Sequence, residues 1–135
     1  MRLNQVTVAA TDIAASIDFY ETLGLNLIVR ADHYARFELP DGGSTFSLHA
    51  APAGPGAHAP RIYFECDALD ATVAGLKGKG VVFDAAPVDQ TWLWREAWLR
   101  DPSGNTICLY HAGENRTHPA WRLAPPTRAD QSEDR

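Results

Sequence analysis

The sequence predicts an α+β fold built from two pseudo-symmetric copies of one βαβββ module. The first observation is an internal repeat. Gln5-Val6-Thr7-Val8 leads through Asp12-Ile13-Ala14-Ala15-Ser16-Ile17 to Gly24-Leu25. Arg61-Ile62-Tyr63-Phe64 leads through Ala68-Leu69-Asp70-Ala71-Thr72-Val73 to Gly80-Val81, in step at an offset of about 56 residues. The second observation is a matched turn before each last strand. Pro40-Asp41-Gly42-Gly43 precedes Thr45-Phe46-Ser47-Leu48-His49, and Asp101-Pro102-Ser103-Gly104 precedes Thr106-Ile107-Cys108-Leu109-Tyr110. The third is size and composition: 135 residues, 45% hydrophobic and 21% charged, suffice for one domain with a substantial core. A crevice between symmetric halves is a common place for a ligand.

Each element follows from a local pattern. Leu3 to Ala9 alternates apolar and polar residues, as a half-buried strand does. Thr11 or Asp12 caps the helix behind it, where Ile13, Ile17, Tyr20 and Leu23 share one face and Gly24 supplies the stop. Leu25 to Val29, Tyr34 to Leu39 and Ser44 to Ala50 are the next strands. Ala51 to Pro60, with three prolines and two glycines, lacks core-forming residues and reads as a linker. The second half gives a strand at Arg61 to Cys66, a helix at Leu69 to Lys79 weakened by Gly75 and Gly78, and a strand at Val81 to Phe83. Ala85 to Gln90 reads as a loop over a pocket, followed by strands at Trp94 to Arg100 and Asn105 to His111. The expected organisation is one domain over residues 1–112, with module one at 1–51, the linker at 52–60 and module two at 61–112. Residues 113–135 form a tail. Its first part, with Trp121, packs back onto the body, and the proline-rich charged end from Ala124 is disordered.

Bulk properties exclude several classes. A net charge of −5 without a basic cluster argues against nucleic acid or an anionic membrane surface as a partner. No apolar run approaches the roughly 20 residues that span a bilayer, and Met1 to Gln5 lacks the apolar stretch of a signal peptide. Cys66 and Cys108 lie in strands without CxxC spacing, which reads as a reduced pair in a cytoplasmic protein. There is no G-x-S-x-G nucleophile elbow, and Gly54-Pro55-Gly56 is not a phosphate loop.

The motifs resemble a known group. Val6-Thr7-Val8 with Asp12-Ile13, Ser16-Ile17, Phe19-Tyr20 and Leu23-Gly24-Leu25 resembles the opening of the vicinal-oxygen-chelate superfamily. That group holds glyoxalase I, bleomycin-resistance proteins, fosfomycin-resistance enzymes and extradiol dioxygenases. Phe64-Glu65-Cys66-Asp67 with Leu69-Asp70 resembles the start of its second module, and Arg100 to Asn105 with Ile107 and Leu109 its closing strand. The resemblance covers residues 3 to 111 and implies curved sheets forming an open, barrel-like cavity, a small-molecule ligand and a homodimer. With Val6, Val8, Phe46, Leu48, Ile62, Phe64, Ile107 and Leu109 packed on the helices, the opposite faces carry Gln5, Thr7, Ser47, His49, Arg61, Tyr63, Glu65, Cys108 and Tyr110. So polar a set favours a ligand-accepting crevice over a dry core.

In metal-dependent members a divalent ion acts as a Lewis acid on vicinal oxygens of the substrate. Its four ligand positions fall here on Gln5, Ser47, Arg61 and Cys108. Only Gln5 is a plausible oxygen ligand; the usual histidine and two glutamates are absent, and Arg61 would repel the ion. A displaced divalent site from Gln5, His49 and Glu65 is the remaining metal arrangement, set against a polar network of His49 with Tyr110 or Glu65. On the enzyme reading the protein is a lyase, isomerase or oxygenase in which His49, Glu65 and Tyr110 are the catalytic candidates. On the other it sequesters a ligand without turnover, as bleomycin-resistance proteins do. Thr7, Ser47, Arg61, Tyr63, Trp94 and Cys108 are the candidate ligand contacts. Arg61 either binds a ligand's anionic group or pairs with Glu65 or a partner subunit. Trp92, Trp94 and Trp98 either wall a planar ligand or serve as core or dimer contacts, while His33 and Arg36 stand at the cavity entrance.

Overall fold

The structure, a computed structural model, describes residues 1–125. Module one runs β1 (Gln5–Ala10), α1 (Ile13–Thr22), β2 (Asn26–Ala31), β3 (Tyr34–Glu38) and β4 (Thr45–Ala50). Module two repeats it with β5 (Ile62–Glu65), α2 (Leu69–Gly78), β6 (Ala85–Asp89), β7 (Arg95–Arg100) and β8 (Thr106–His111), followed by a 3₁₀ turn at Gly113–Arg116. Each module forms its own four-stranded mixed sheet, ordered β1-β4-β3-β2 and β5-β8-β7-β6. In each, the first and last strands pair in parallel and the others antiparallel. The helix between the first two strands makes that parallel pairing possible.

The helix ends show why the repeat reads so clearly. Asp12 caps α1 by accepting from the Ala15 N–H at 3.0 Å. At both C-termini a left-handed glycine turns the chain back: Gly24 at φ +103° and Gly80 at φ +91°. Leu25 and Val81 then donate to Tyr20 and Leu76, closing the same cap twice.

One core serves both modules. Val8, Ile17, Tyr20, Phe37, Phe46 and Leu48 meet Ile62, Leu69, Val73, Leu76, Leu99, Ile107 and Leu109 in one cluster. Phe46 of module one approaches Phe64 of module two with ring centroids 5.8 Å apart. Both sheets therefore turn their apolar faces inward, against each other and the helices. By strand alternation the opposite faces look outward, away from this core.

A buried polar clasp joins the halves. Tyr20 donates its O–H to Asp101 Oδ2 at 2.7 Å, and Asp101 also accepts from the Ser103 and Asn105 N–H groups and from Asn105 Nδ2. Asn105 Nδ2 donates in turn to the Ala9 carbonyl, and the Thr11 N–H to Ser103 Oγ. By the internal repeat, Leu76 stands for Tyr20 and Pro40 for Asp101 in the other half, so no such clasp forms there. That place holds instead a mostly apolar cleft of about 520 Å³, lined among others by Leu23, Leu39, Pro40, Ile62, Cys66 and Leu76.

Three sequence expectations are corrected. Val81 to Phe83 is not a strand, because Val81 is held back by the α2 cap. The loop expected at Ala85 to Gln90 is edge strand β6; its Pro87 is tolerated at an edge, where the register shifts between Ala85 and Val88. Trp121 does not pack back. It stays exposed on a segment that folds on itself, with Arg122 donating to the Thr117 carbonyl. Residues 126–135 of the expected disordered end lie outside the described residues.

Candidate functional site

The outer face of the first sheet is a polar net. Register places Thr7, Ser47 and Arg36 side by side, and Tyr34 beside His49. Gln5 Nε2 donates to Ser47 Oγ at 2.6 Å, and Gln5 Oε1 accepts from Thr45 Oγ1. Ser47 Oγ lies 2.7 Å from the Tyr34 hydroxyl, to which Arg36 Nε donates at 2.9 Å. Ser47 is fully buried beneath this net. The hydrogen bond from Ser47, then Arg36 with its bond and its charge, hold the Tyr34 phenol below the usual tyrosine range.

The outer face of the second sheet is aromatic. Register aligns Tyr63, Cys108 and Trp98 in one row and Glu65, Tyr110 and Glu96 in the next. Tyr63 is the hub: its ring meets Trp94, Trp98 and Tyr110 edge-on at centroid distances of 6.1, 5.6 and 5.8 Å. Trp94 stacks on Tyr110 at 4.6 Å. Under them the buried Glu96 carboxylate accepts from Trp92 Nε1 at 2.9 Å and Trp98 Nε1 at 3.2 Å, fixing two indoles with one side chain. The Arg61 guanidinium lies 5.8 Å from the Trp98 ring centroid. Neither face is roofed over within one chain: Gln5, Thr7, His49, Arg61, Tyr63 and Glu65 are all exposed.

The donors at the four family positions do not suit a divalent ion. Ser47 Oγ is taken up by Gln5 and Tyr34. Arg61 is a permanent cation. Cys108 is fully buried, and its soft sulfur does not match the hard oxygen and imidazole donors of an octahedral site. The displaced arrangement is not assembled either, since two of its three side chains have gone to other work and His49 stands on the other sheet from Glu65. Gln5 serves Ser47, and Glu65 accepts from the Ala112 and Gly113 N–H groups at 2.8 and 3.0 Å and faces Arg116. Among the described residues no group of three or more His, Cys, Asp and Glu has the placement of a metal site.

The remaining candidates divide between the two faces. His49 stands on the first face and Tyr110 on the second, so the network of His49 with Tyr110 or Glu65 does not form in one chain. Arg61 leans on Trp98 instead of pairing with Glu65. Tyr63, Trp94, Cys108 and Tyr110 do come together, joined by Trp92 and Trp98. Sequence reasoning missed Glu96, although it falls in the alternate series of Trp92, Trp94 and Trp98. It also missed Tyr34, whose role depends on three residues from three strands.

Comparison with known proteins agrees with this geometry. A family model described as the glyoxalase/bleomycin resistance protein/dioxygenase superfamily matches residues 2–109. Solved structures share the fold. A bleomycin-binding protein complexed with bleomycin is 22% identical, with a TM-score of 0.69 over 82% of this chain and 98% of that one. A bleomycin resistance determinant encoded on transposon Tn5 is 22% identical, with a TM-score of 0.70 over 82% and 98%. A lactoylglutathione lyase from Agrobacterium tumefaciens is 16% identical, with a TM-score of 0.68 over 82% and 92%. Among curated proteins nothing matches. With the family match spanning nearly the whole described chain, this protein belongs to the glyoxalase/bleomycin resistance protein/dioxygenase superfamily.

Proposed function

We propose that this protein binds a planar small molecule against the aromatic face of its second sheet, and that the polar face of a second copy closes the crevice. The observation that carries the reading is the exposed Tyr63 at the centre of a preset aromatic platform, with its indoles anchored by Glu96. Such a surface offers stacking area with little conformational freedom left to lose. The donor set described above favours sequestration over metal-assisted turnover, because Ser47 is committed to Gln5 and Tyr34, Cys108 is a buried soft donor and Arg61 repels a cation. The bleomycin-binding protein of the same fold carries its ligand, so bleomycin is a sensible first probe here. A dimer is part of this reading, because a face left open in one chain becomes a crevice against another.

Titration with bleomycin, followed by tryptophan fluorescence, tests the reading. Saturable quenching that weakens at least tenfold in Tyr63→Ala, in a protein that sediments as a dimer, is the expected result. Absence of quenching with bleomycin and with simple planar aromatics, or a monomer at micromolar concentration, would overturn it. The methylglyoxal–glutathione hemithioacetal should turn over no faster than in buffer.

A further inference from the structure

The hydrogen bonds around Ser47 run in one direction and leave one proton over. The amide of Gln5 is oriented from both ends. Its Oε1 accepts from the Thr45 hydroxyl, and its Nε2 lies 3.4 Å from the Val6 carbonyl, which only accepts. Nε2 is therefore the donor to Ser47 Oγ. Ser47 is fully buried, where an unpaired hydroxyl proton is costly, so that proton goes to the one acceptor left beside it, the Tyr34 oxygen. Arg36 Nε always carries a hydrogen and donates to that same oxygen. The phenol oxygen thus accepts twice, and its O–H has no acceptor among the described residues.

We infer that Tyr34 is the hydrogen-bond donor of the polar face toward a ligand, and that the oxygen it selects is anionic, as in a phenolate, enolate or carboxylate. Arg36 stands beside the donor with its Nη groups in no ion pair among the described residues, so charge and donor point at one place. The two accepted bonds polarise the phenol and strengthen it as a donor. His49 on β4 and Arg36 on β3 are the titratable or charged neighbours; β1 brings Gln5 and Thr7, and β2 brings Val29 and Ala31. Ser47, at a family metal position, has become a positioning residue that aims the tyrosine proton. The inference rests on the proposed crevice in one respect: the rest of the ligand lies against the aromatic face.

The test compares 4-nitrophenolate with nitrobenzene, its neutral analogue without the oxygen, by equilibrium dialysis above the ionisation of nitrophenol. Wild type is expected to bind the phenolate at least tenfold more tightly than nitrobenzene. Tyr34→Phe should lower that preference at least about tenfold, the low end of what a hydrogen bond to a charged acceptor contributes, while nitrobenzene binding stays unchanged. Ser47→Ala should lower it by a smaller factor, since Tyr34 then keeps only Arg36. Thermal melts confirm that each variant is folded. An unchanged preference in Tyr34→Phe, or none in wild type, would overturn the inference. Tyr63→Ala separates the two claims: it should weaken both compounds alike. If it weakens neither while Tyr34→Phe still acts, the aromatic platform fails and the donor stands.

Discussion

Replacing Tyr20 by Phe removes one oxygen from the clasp between the modules and leaves everything else in place. The ring keeps its packing against Phe19, Phe37 and Phe46, at centroid distances of 5.1, 5.9 and 4.6 Å. What is lost is a 2.7 Å hydrogen bond to a buried carboxylate. Bonds to charged groups contribute about 1.5–3 kcal/mol. Asp101 would retain three N–H donors, from Ser103 and Asn105, so it is not orphaned. The cost therefore falls at the low end, about 1.5–2 kcal/mol, which for a chain this size is a Tm loss of roughly 5 °C. Urea melts of both proteins measure it. The same buried hydroxyl sets a pH dependence. Burial, then the Asp101 carboxylate, raise the Tyr20 phenol above the 10.0 of an unfolded tyrosine. Unfolding above that pH releases a proton that the native state holds. This contribution is therefore fully present below pH 10.0 and falls above it by up to about 1.4 kcal/mol per pH unit. Tyr20→Phe should remove one proton's worth of that slope. A cost below about 0.5 kcal/mol, the scale of an ordinary surface change, would refute the claim that the clasp holds the halves together.

Glu96→Gln should cost about 1–3 kcal/mol, because one end of the amide then presents N–H to an indole N–H, and near-UV circular dichroism should lose tryptophan signal as Trp92 and Trp98 are freed. Cys108 should resist a disulfide reagent at pH 8 in the native state and react only on unfolding, since it is fully buried and burial pushes its thiol up to about 12, while Cys66, which lines the cleft, reacts first; thiol counting checks this. Leu93→Gly should raise stability by up to about 1 kcal/mol in a thermal melt, because Leu93 is held at φ 67° in the β6–β7 turn, where glycine fits without strain.

The fold was legible because its signals are local. Alternation in β1 and β4, the helical spacing of Ile13, Ile17 and Tyr20, and the glycines that close both helices each occupy a few adjacent residues. The edge strand β6 was not legible: Pro87 reads as a loop signal, and only its place at an edge makes it tolerable. The site was legible by face but not by partner. Alternation put Gln5, Ser47, Tyr63, Cys108 and Tyr110 on the strand faces opposite those packed on the helices. It could not show that Glu65 would be drawn to the Ala112 and Gly113 N–H groups, or that Arg61 would lean on Trp98, since both depend on residues over 30 positions away. Tyr34 stayed hidden because, Arg36 apart, the residues that aim its proton, Gln5 and Ser47, come from two other strands.

The most direct test of the crevice between two copies is subunit complementation. Arg36→Ala damages only the polar face and Tyr63→Ala only the aromatic face, so homodimers of either should bind 4-nitrophenolate weakly. Mixed and re-equilibrated in equal amounts, they form heterodimers with one crevice built from two intact faces. Random pairing then restores about a quarter of the wild-type sites at wild-type affinity. Recovery of that fraction by equilibrium dialysis is the predicted result. A mixture that binds no better than its two components would contradict the shared crevice.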